Sequence, residues 1–377
     1  MIVKLPNFLY RNLLMLLTID AALFNTTISD GVKQPIHDFC LYAGIVLALL
    51  CIISKKYNYK ILILNIILFV FAIVSYRVSG NSDILMSILL VALAWKMDVD
   101  EILNEIFEIR LAVFIFTILL ALIGILDTGV IADVSADKGV MLGYGHANTF
   151  AGSAGILILL MFAINRRKIK KSHICIATLA DIITFYFSRS RTALFLITFA
   201  IILILICEFS KKFSINVREI SLYVLPALLI ILFTLIKLRT GNILPRFVNA
   251  VDWLMNGRIL LASMNLHYYP ITVLGQKVNT EIIASQNQYY ALDNGYTYIL
   301  IHYGIMGLAV ITGLQEFAAY RCKKNGDNVL CIVCIIIMFW LMYEGMMISA
   351  TSNFTLLFAT AILNKDKFRN KHRVGVI

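Results

Sequence analysis

Long apolar stretches separated by short basic runs are the feature that most constrains the fold of this chain. Of its 377 residues, 60% are hydrophobic and only 15% are charged, whereas globular chains are about 45–50% apolar and 25% charged. A water-soluble fold cannot hide this much apolar surface, because a core takes up only part of any chain. The formal net charge of +11 comes from basic runs between the apolar stretches, which favours membrane topology over a nucleic-acid surface.

The apolar stretches have the length of membrane-spanning helices, which need roughly 20 residues each. We therefore predict an all-α, polytopic integral membrane helix bundle of about 12 transmembrane helices. Residues 1–377 would form a single membrane domain. The predicted spans lie near residues 8–28, 38–54, 61–76, 84–96, 107–126, 147–164, 172–187, 192–207, 220–237, 294–313, 329–347 and 349–363.

The basic runs orient the predicted spans. With the N-terminus inside, they fall in cytoplasmic turns and in the tail, at residues 55–60, 166–171, 211–218, 321–324 and 365–373. Because Lys and Arg accumulate on the cytoplasmic side of a membrane, we predict that both termini are cytoplasmic. The longest connection, residues 238–293 between the ninth and tenth spans, is then a long external loop.

Residues 246–266 of this loop have the pattern of an amphipathic helix lying along the outer membrane face. Its apolar residues fall near one face: Phe247, Val251, Leu254 and Leu261. Arg258 lies on the same stripe, and Pro270 follows the helix. An arginine on an apolar face breaks the local pattern, and such breaks are typical of functional residues.

The predicted external side is rich in arginine, against the usual charge bias of membrane proteins. The arginines assigned to it are Arg77, Arg189, Arg191, Arg239, Arg246 and Arg258. A guanidinium group binds phosphate oxygens through two parallel hydrogen bonds and stays charged near a low-dielectric boundary. These residues indicate binding of a lipid diphosphate headgroup. The alternative is that they contact anionic lipid or pair with nearby acids.

Other polar residues near the predicted membrane boundary have two interpretations each. His146 and Asn148 open the sixth span and either bind a ligand or stabilise the start of that helix. His267, followed by two tyrosines, either stacks on sugar rings or belongs to an interfacial aromatic belt. Acids inside spans are costly, so Asp20 and Glu344 either bind substrate or pair with an arginine.

Six segments of the chain resemble the bacterial polysaccharide polymerase and O-antigen ligase superfamily, the Wzy-type membrane proteins. They are 145–150 (GHANTF), 188–193 (SRSRTA), 256–258 (NGR), Pro270 with Gly275, 293–296 (DNGY) and 304–307 (GIMG). The ligases carry His, then Asn, Ser or Gln, then nine residues followed by Gly, and then two residues followed by Gly, Thr or Tyr. Asn294, Gly304 and Gly307 fit this spacing, but Asp293 replaces the histidine, which suits a polymerase better than a ligase.

The resemblance implies a metal-independent glycosyltransferase without a cofactor. It would transfer a growing glycan from a lipid diphosphate carrier, such as undecaprenyl diphosphate, to the next lipid-linked repeat unit on the outer face of the bacterial plasma membrane. The product would be capsule, exopolysaccharide or O-antigen. The implied partners are lipid-diphosphate-linked oligosaccharide and polysaccharide, the lipid bilayer, a chain-length regulator and a flippase, and no nucleic acid is implied.

The resemblance also implies roles for individual residues. Asp293 would be the base for the acceptor hydroxyl, and Arg258 and Arg191 would stabilise the diphosphate leaving group. The residues expected to bind substrate are Arg189, Arg239, Arg246, His146, Asn148, His267, Asn294 and Tyr296. Two other functions stay open at this point: a ligase that passes finished glycan to a cell-envelope acceptor, and a transporter of polysaccharide or lipid-linked sugar.

Overall fold

A computed structural model describes residues 5–132, 138–279 and 292–363, which form an all-α bundle with one short β-ribbon. The first half contains α1 (Leu5–Phe24), α2 (Asp30–Ser54), α3 (Tyr59–Ser79), α4 (Asp83–Leu93), α5 (Val99–Leu122), β1 (Val130–Ala132), β2 (Lys138–Val140), α6 (Ala147–Ile164) and α7 (Lys171–Ser188). The second half contains α8 (Arg191–Phe209), α9 (Lys211–Ile220), α10 (Val224–Thr240), α11 (Pro245–Leu254), α12 (Arg258–Tyr268), α13 (Gly295–Asn325), α14 (Asn328–Leu341) and the 3-10 helices η1 (Gly345–Ile348) and η2 (Phe354–Ala359).

Five described helices are long and apolar enough to cross a membrane: α2, α3, α6, α8 and α13. The pair α9 and α10, bent by 53°, adds a sixth if it counts as one span. Several long apolar helices indicate a multi-pass membrane protein. The all-α prediction is confirmed for the described residues, but the prediction of about 12 spans is wrong.

Helix length and charge explain why several predicted spans are not long apolar helices. The predicted spans at 84–96 and 329–347 correspond to α4 and α14, which have 11 and 14 residues and are shorter than a usual span. Charged side chains lower the apolar character of α1, α5 and α7: Arg11, Asp20, Glu105, Glu108, Arg110, Lys171 and Asp181. Length and charge, rather than apolar content alone, therefore separate these helices from the spanning ones.

The helices form a buried centre and an apolar outer layer. Helices α4, α6 and α14 are buried along nearly their whole length, and α14 packs against α6, α8, α10 and α13. Helix α3 instead exposes most of its apolar residues, among them Ile63, Ile67 and Ile73. An exposed apolar surface of this extent is expected where lipid surrounds the bundle.

Residues 345–363 run back through the bundle without an α-helix. This segment starts near the carbonyls of Leu292 and Asp293, which precede α13. It ends where the carbonyls of Phe358 and Ala361 accept hydrogen bonds from Arg321, near the other end of α13. Its residues pack against α4, α5, α13 and α14. Irregular backbone occurs at membrane depth where protein buries it, so the predicted span at 349–363 is a buried irregular segment.

The predicted amphipathic helix at 246–266 is two helices, α11 and α12. Asn256 and Gly257 between them have positive φ angles of 54° and 79°, which end α11 and begin α12 in a different helical register. Arg258 is consequently buried with 3% exposure, whereas Phe247 and Leu254 are exposed. Both helices pack against α10, and residues 280–291 of the predicted external loop lie outside the described residues.

Two glycines allow the segment after α12 to pack against α13. Gly304 interrupts α13 with φ 71° and ψ −170°, and the backbone N–H groups of Ile305 and Met306 donate to the carbonyls of residues 272 and 273 at 3.0 and 3.1 Å. A Cβ atom at Gly304 would collide with the Val273 carbonyl, and one at Gly275 would collide with the His302 carbonyl. Glycine is therefore required at both positions for close backbone contact.

Candidate functional site

The basic turns and the predicted motifs lie at opposite ends of the bundle. At one end Arg166 pairs with Asp100 at 2.5 Å and with Asp327 at 2.9 Å, joining the ends of α6 and α13. At the other end His146 and Arg191, at the starts of α6 and α8, line one pocket. We call this second end the motif end. That the motif end is external stays a prediction.

Three of the motifs meet around a pocket of about 90 Å³, which we call the arginine pocket. Its polar lining comes from residues far apart in sequence: His146, Asn148, Ser188, Arg189, Ser190, Arg191, Thr192, Asn256 and Arg258. The structure thus brings together five of the residues predicted to bind substrate or to catalyse. Three guanidinium groups at one small pocket form a strongly positive environment suited to an anion.

The first residues of α6, α8 and α12 also line the arginine pocket. Helix starts carry unpaired N–H groups and a partial positive charge that favour anions. Nδ1 of His146 accepts from the N–H of Asn148 at 3.1 Å, so His146 caps α6. Oδ1 of Asp252 accepts from the N–H of Ile259 at 2.8 Å and caps α12. Ser190 precedes α8 without a side-chain cap, so the start of α8 is the best placed to contact a bound anion.

Arg258 lies between the arginine pocket and a group of acids. Its Nε donates to the Tyr343 carbonyl at 3.0 Å, and its Nη2 donates to Oε1 of Glu344 at 3.1 Å. Oδ2 of Asp293 lies 3.8 Å from the same Nη2 atom. The guanidinium is therefore fixed by hydrogen bonds to Tyr343 and Glu344, and Arg258 also lines the arginine pocket.

A second cavity, of about 520 Å³, lies beyond Arg258. Four acids contribute to its wall: Asp20, Asp83, Asp293 and Glu344. Neutral hydrogen-bonding side chains complete the lining, among them Asn25, Gln34, Asn81, Ser82, Tyr298, Ser349, Thr351 and Ser352. Its volume is in the range of small-molecule sites, and its lining can hydrogen-bond sugar hydroxyls. We call it the acidic cavity.

The two acids beside Arg258 differ in their environment. The Asp293 side chain is 35% exposed, whereas that of Glu344 is 13% exposed. Glu344 lies beyond the last turn of α14, outside the membrane-length helices. The pKa of Glu344 is raised to about 7, mainly by burial and to a lesser degree by nearby Asp293, while Arg258 lowers it. Glu344 therefore changes charge near neutral pH, next to the guanidinium that it binds.

Asn294 and Tyr296, both predicted to bind substrate, are buried at the start of α13. Oδ1 of Asn294 accepts from the Thr297 N–H at 2.9 Å and its Nδ2 donates to the Met342 carbonyl at 2.7 Å. The Tyr296 hydroxyl donates to the Met338 carbonyl at 3.0 Å. These bonds attach α13 to α14, and the substrate-binding roles of both residues stay predictions.

Three other predicted residues lie outside both cavities. Arg239 donates to the side chain of Asn249 on α11, and Arg246 is exposed on the same helix. His267 is exposed near the end of α12, where its ring is 5.6 Å from that of Tyr268. The structure does not place these three side chains at the arginine pocket or the acidic cavity.

Two polar side chains on the acidic cavity were missed by the sequence reasoning. His37 and Ser82 both line it, and both belong to a hydrogen-bonded group that includes Asp20. The sequence carried one weak signal for His37, an ionisable residue at the edge of the predicted span 38–54. Ser82 gave no signal, because a serine before a helix is an ordinary helix-capping residue.

No protein-family model, curated protein or solved structure matches the chain. Within residues 5–132, 138–279 and 292–363, no three His, Cys, Asp or Glu side chains are grouped so that they could hold a metal ion. The chemistry that the described side chains can perform is anion binding at the arginine pocket, with hydroxyl binding and proton transfer at the acidic cavity.

Proposed function

We propose that this chain is a membrane glycosyltransferase that extends a glycan carried on a lipid diphosphate, by transferring it to the next lipid-linked repeat unit. The observation that carries the proposal is that Arg258 borders the arginine pocket and also binds Glu344 of the acidic cavity. An anion site and a hydroxyl-binding site are thus joined by one fixed guanidinium.

The arginine pocket would bind the diphosphate of the donor. Arg189, Arg191 and Arg258 line it, and the start of α8 adds backbone N–H groups. Negative charge grows on the diphosphate as it leaves, and cationic groups that are already in place stabilise that charge. Arg258 is the most constrained of the three, because its buried side chain is held by Tyr343 and Glu344.

The acidic cavity would bind the acceptor sugar of the next repeat unit. In the transfer, the acceptor oxygen bonds to the anomeric carbon of the donor, and the bond from that carbon to the diphosphate oxygen breaks. The electron pair of the broken bond stays on the lipid diphosphate, and the acceptor proton passes to a base on the cavity. Positive charge develops on the donor sugar, which the carboxylates of the cavity favour.

We further propose that the motif end faces outward in a bacterial plasma membrane, with both termini cytoplasmic. The support is that the basic clusters in the described turns lie at the end opposite the motifs, as the positive-inside rule requires. A capsule, exopolysaccharide or O-antigen polymerase works on lipid-linked repeat units that have been moved across the membrane. A flippase and a chain-length regulator are the partners such a reaction needs.

The direct test is polymer synthesis from purified components. The protein would be reconstituted in liposomes with a lipid-diphosphate-linked oligosaccharide, and products would be separated by gel electrophoresis after release from the lipid. We expect a ladder of products spaced by one repeat unit, and its loss in Arg258→Ala. Arg167→Ala is a matched control, because Arg167 also pairs with an acid but lies at the opposite end.

Other results would identify the competing functions. Transfer of the oligosaccharide to a different lipid or saccharide acceptor without a ladder would show a ligase. Movement of the lipid-linked oligosaccharide across the liposome membrane without a new glycosidic bond would show a transporter. Either result would replace the polymerase proposal.

A further inference from the structure

Asp20, His37 and Ser82 form a continuous hydrogen-bonded chain on the acidic cavity. Nδ1 of His37 lies 3.0 Å from Oδ2 and 3.2 Å from Oδ1 of Asp20. Nε2 of His37 lies 3.0 Å from Oγ of Ser82. The three residues come from α1, α2 and the turn before α4, so the bundle itself brings them together.

The hydrogen bonds determine which nitrogen of His37 can take up a proton. A carboxylate only accepts hydrogen bonds, so Nδ1 carries hydrogen and donates it to Asp20. Nε2 then presents its lone pair toward the Ser82 hydroxyl and the cavity. An imidazole with a carboxylate on one nitrogen and a hydroxyl at the other has the geometry of a general base.

The surroundings hold this geometry in place. The side chains of His37 and Asp20 are 16% and 6% exposed. The turn that carries Ser82 is fixed by Asn81, whose Oδ1 accepts from the N–H of Asp83 and from the Tyr303 hydroxyl, both at 2.9 Å. The hydroxyl next to Nε2 is therefore restrained, whereas the cavity beyond it is large enough for a ligand.

We propose that His37, oriented by Asp20, is the general base that takes the proton from the acceptor hydroxyl, and that Ser82 positions this hydroxyl. The inference rests on the proposed glycosyl transfer and moves the base from Asp293 to His37. In the bound complex the acceptor hydroxyl donates to Nε2 in place of Ser82, whose Oγ then bonds the acceptor. The acceptor oxygen bonds to the anomeric carbon while the bond from that carbon to the diphosphate oxygen breaks, the acceptor proton moves to Nε2, and the resulting imidazolium is stabilised by Asp20. The proton then leaves to solvent through the cavity. Asp293 and Glu344 keep the separate role of holding Arg258.

The same three residue types also occur in enzymes where the serine is a covalent nucleophile. That alternative requires stabilisation of a negative oxygen near Ser82. The adjacent Asp83, together with Asp293 on the same cavity, disfavours such an oxyanion. The same carboxylates favour the positive charge that develops on a sugar during glycosyl transfer. The electrostatic environment therefore supports the base and not the acyl-transfer nucleophile.

The test uses the polymer assay with the whole chain, four single variants and one double variant. We expect His37→Gln and Asp20→Asn each to lower kcat by about 10²–10⁴ fold, as for loss of a general base, with KM for the lipid-linked substrate little changed. Asp20→Asn should have almost no further effect in the His37→Gln background, because the two residues act as a unit. Ser82→Ala should keep at least a tenth of kcat. His173→Gln, at the opposite end, should behave as wild type.

A second measurement separates catalysis from folding. Added imidazole should restore part of the activity of His37→Ala and none of that of Asp20→Ala, with membrane abundance and elution volume of each variant checked alongside. If the unmodified protein makes polymer and His37→Gln turns over at the same rate, His37 is not the general base, although the proposed function still stands. Absence of polymer from wild type would instead reject the proposed function. Covalent labelling of Ser82 by a fluorophosphonate probe would show that Ser82 is a covalent nucleophile and would overturn the role of His37 as the base for the acceptor.

Discussion

Nη2 of Arg258 lies 3.1 Å from Oε1 of Glu344, 86 residues later in the chain. The contact places a fixed positive charge at the boundary between the arginine pocket and the acidic cavity. Breaking a buried ion pair by removing one partner typically costs 3–5 kcal/mol, whereas the pair as a whole contributes less. The pair therefore contributes little net stability, although loss of either partner alone is strongly destabilising.

The first prediction concerns Arg258. We expect Arg258→Ala to abolish polymer synthesis and Arg258→Lys to restore little of it, because an ammonium group cannot replace the planar guanidinium that bonds Tyr343 and Glu344 together. The measurement is the product ladder, normalised to the amount of folded protein in the membrane. Normal polymer from Arg258→Ala would make this residue a structural or lipid contact only, and full rescue by lysine would show that charge alone suffices.

The second prediction concerns Asp293, which the sequence suggests as the base. With His37 in that role, Asp293→Asn should keep more than a tenth of wild-type kcat, since the amide preserves the shape of the side chain beside Arg258. Turnover would be measured over a series of substrate concentrations. A fall of 10²–10⁴ fold in kcat would return the role of base to Asp293.

The third prediction compares two glycines of α13. Gly304→Ala should destabilise the protein by about 3 kcal/mol or more, because alanine is strained at this backbone conformation and its Cβ meets Val273. Gly313 has open space around its Cβ position, so Gly313→Ala should be neutral or stabilising by about 1 kcal/mol. Thermal unfolding in detergent would measure both. Equal stability of the two variants would contradict the backbone contact between α13 and the preceding segment.

The fourth prediction follows from the raised pKa of Glu344, about 7 in the folded protein against an ordinary value of 4.5. Between these values the folded state binds a proton that the unfolded state has lost. The contribution of Glu344 to stability is therefore greatest below its ordinary pKa and falls as pH rises through 7. The stability of wild type relative to Glu344→Gln should decrease from pH 5 to pH 8, by about 3 kcal/mol at most. A difference independent of pH would show that Glu344 titrates normally.

The fifth prediction concerns topology. Single cysteines or reporter fusions after Lys171 and Lys324 should be accessible from the cytoplasm only, and one after Asn279 from outside only. These positions lie on either side of the bundle if the positive-inside rule holds for this chain. An external result at Lys171 would place the arginine pocket in the cytoplasm and exclude the proposed reaction.

The site residues that could be predicted were those that stand out from their immediate neighbours in the sequence. Arginines on the apolar side of α12 and at the start of α8 stood out because they break the local pattern. The meeting of His146, Arg191 and Arg258 depends on long-range packing, and only the structure shows it. The Asp20–His37 contact has the same origin, since it depends on how α1 packs against α2.

Prediction of the fold from the sequence was limited in a similar way. Apolar content correctly indicated a helical membrane bundle, but it did not distinguish a spanning helix from a short buried one. Helix α4 and residues 345–363 are apolar because protein surrounds them, and hydropathy cannot tell protein from lipid. The prediction of a single helix at 246–266 was wrong for a local reason, because Asn256 and Gly257 break the helix within an otherwise amphipathic pattern.

The irregular segment 345–363 also has a consequence for the order of assembly. All the helices that bury it, α4, α5, α13 and α14, precede it in the chain, so during synthesis its surroundings are made first. Unlike an α-helix, it cannot satisfy its own backbone in lipid. The segment therefore has to enter a bundle that is already formed, and its insertion completes the wall of the acidic cavity at residues 349–352.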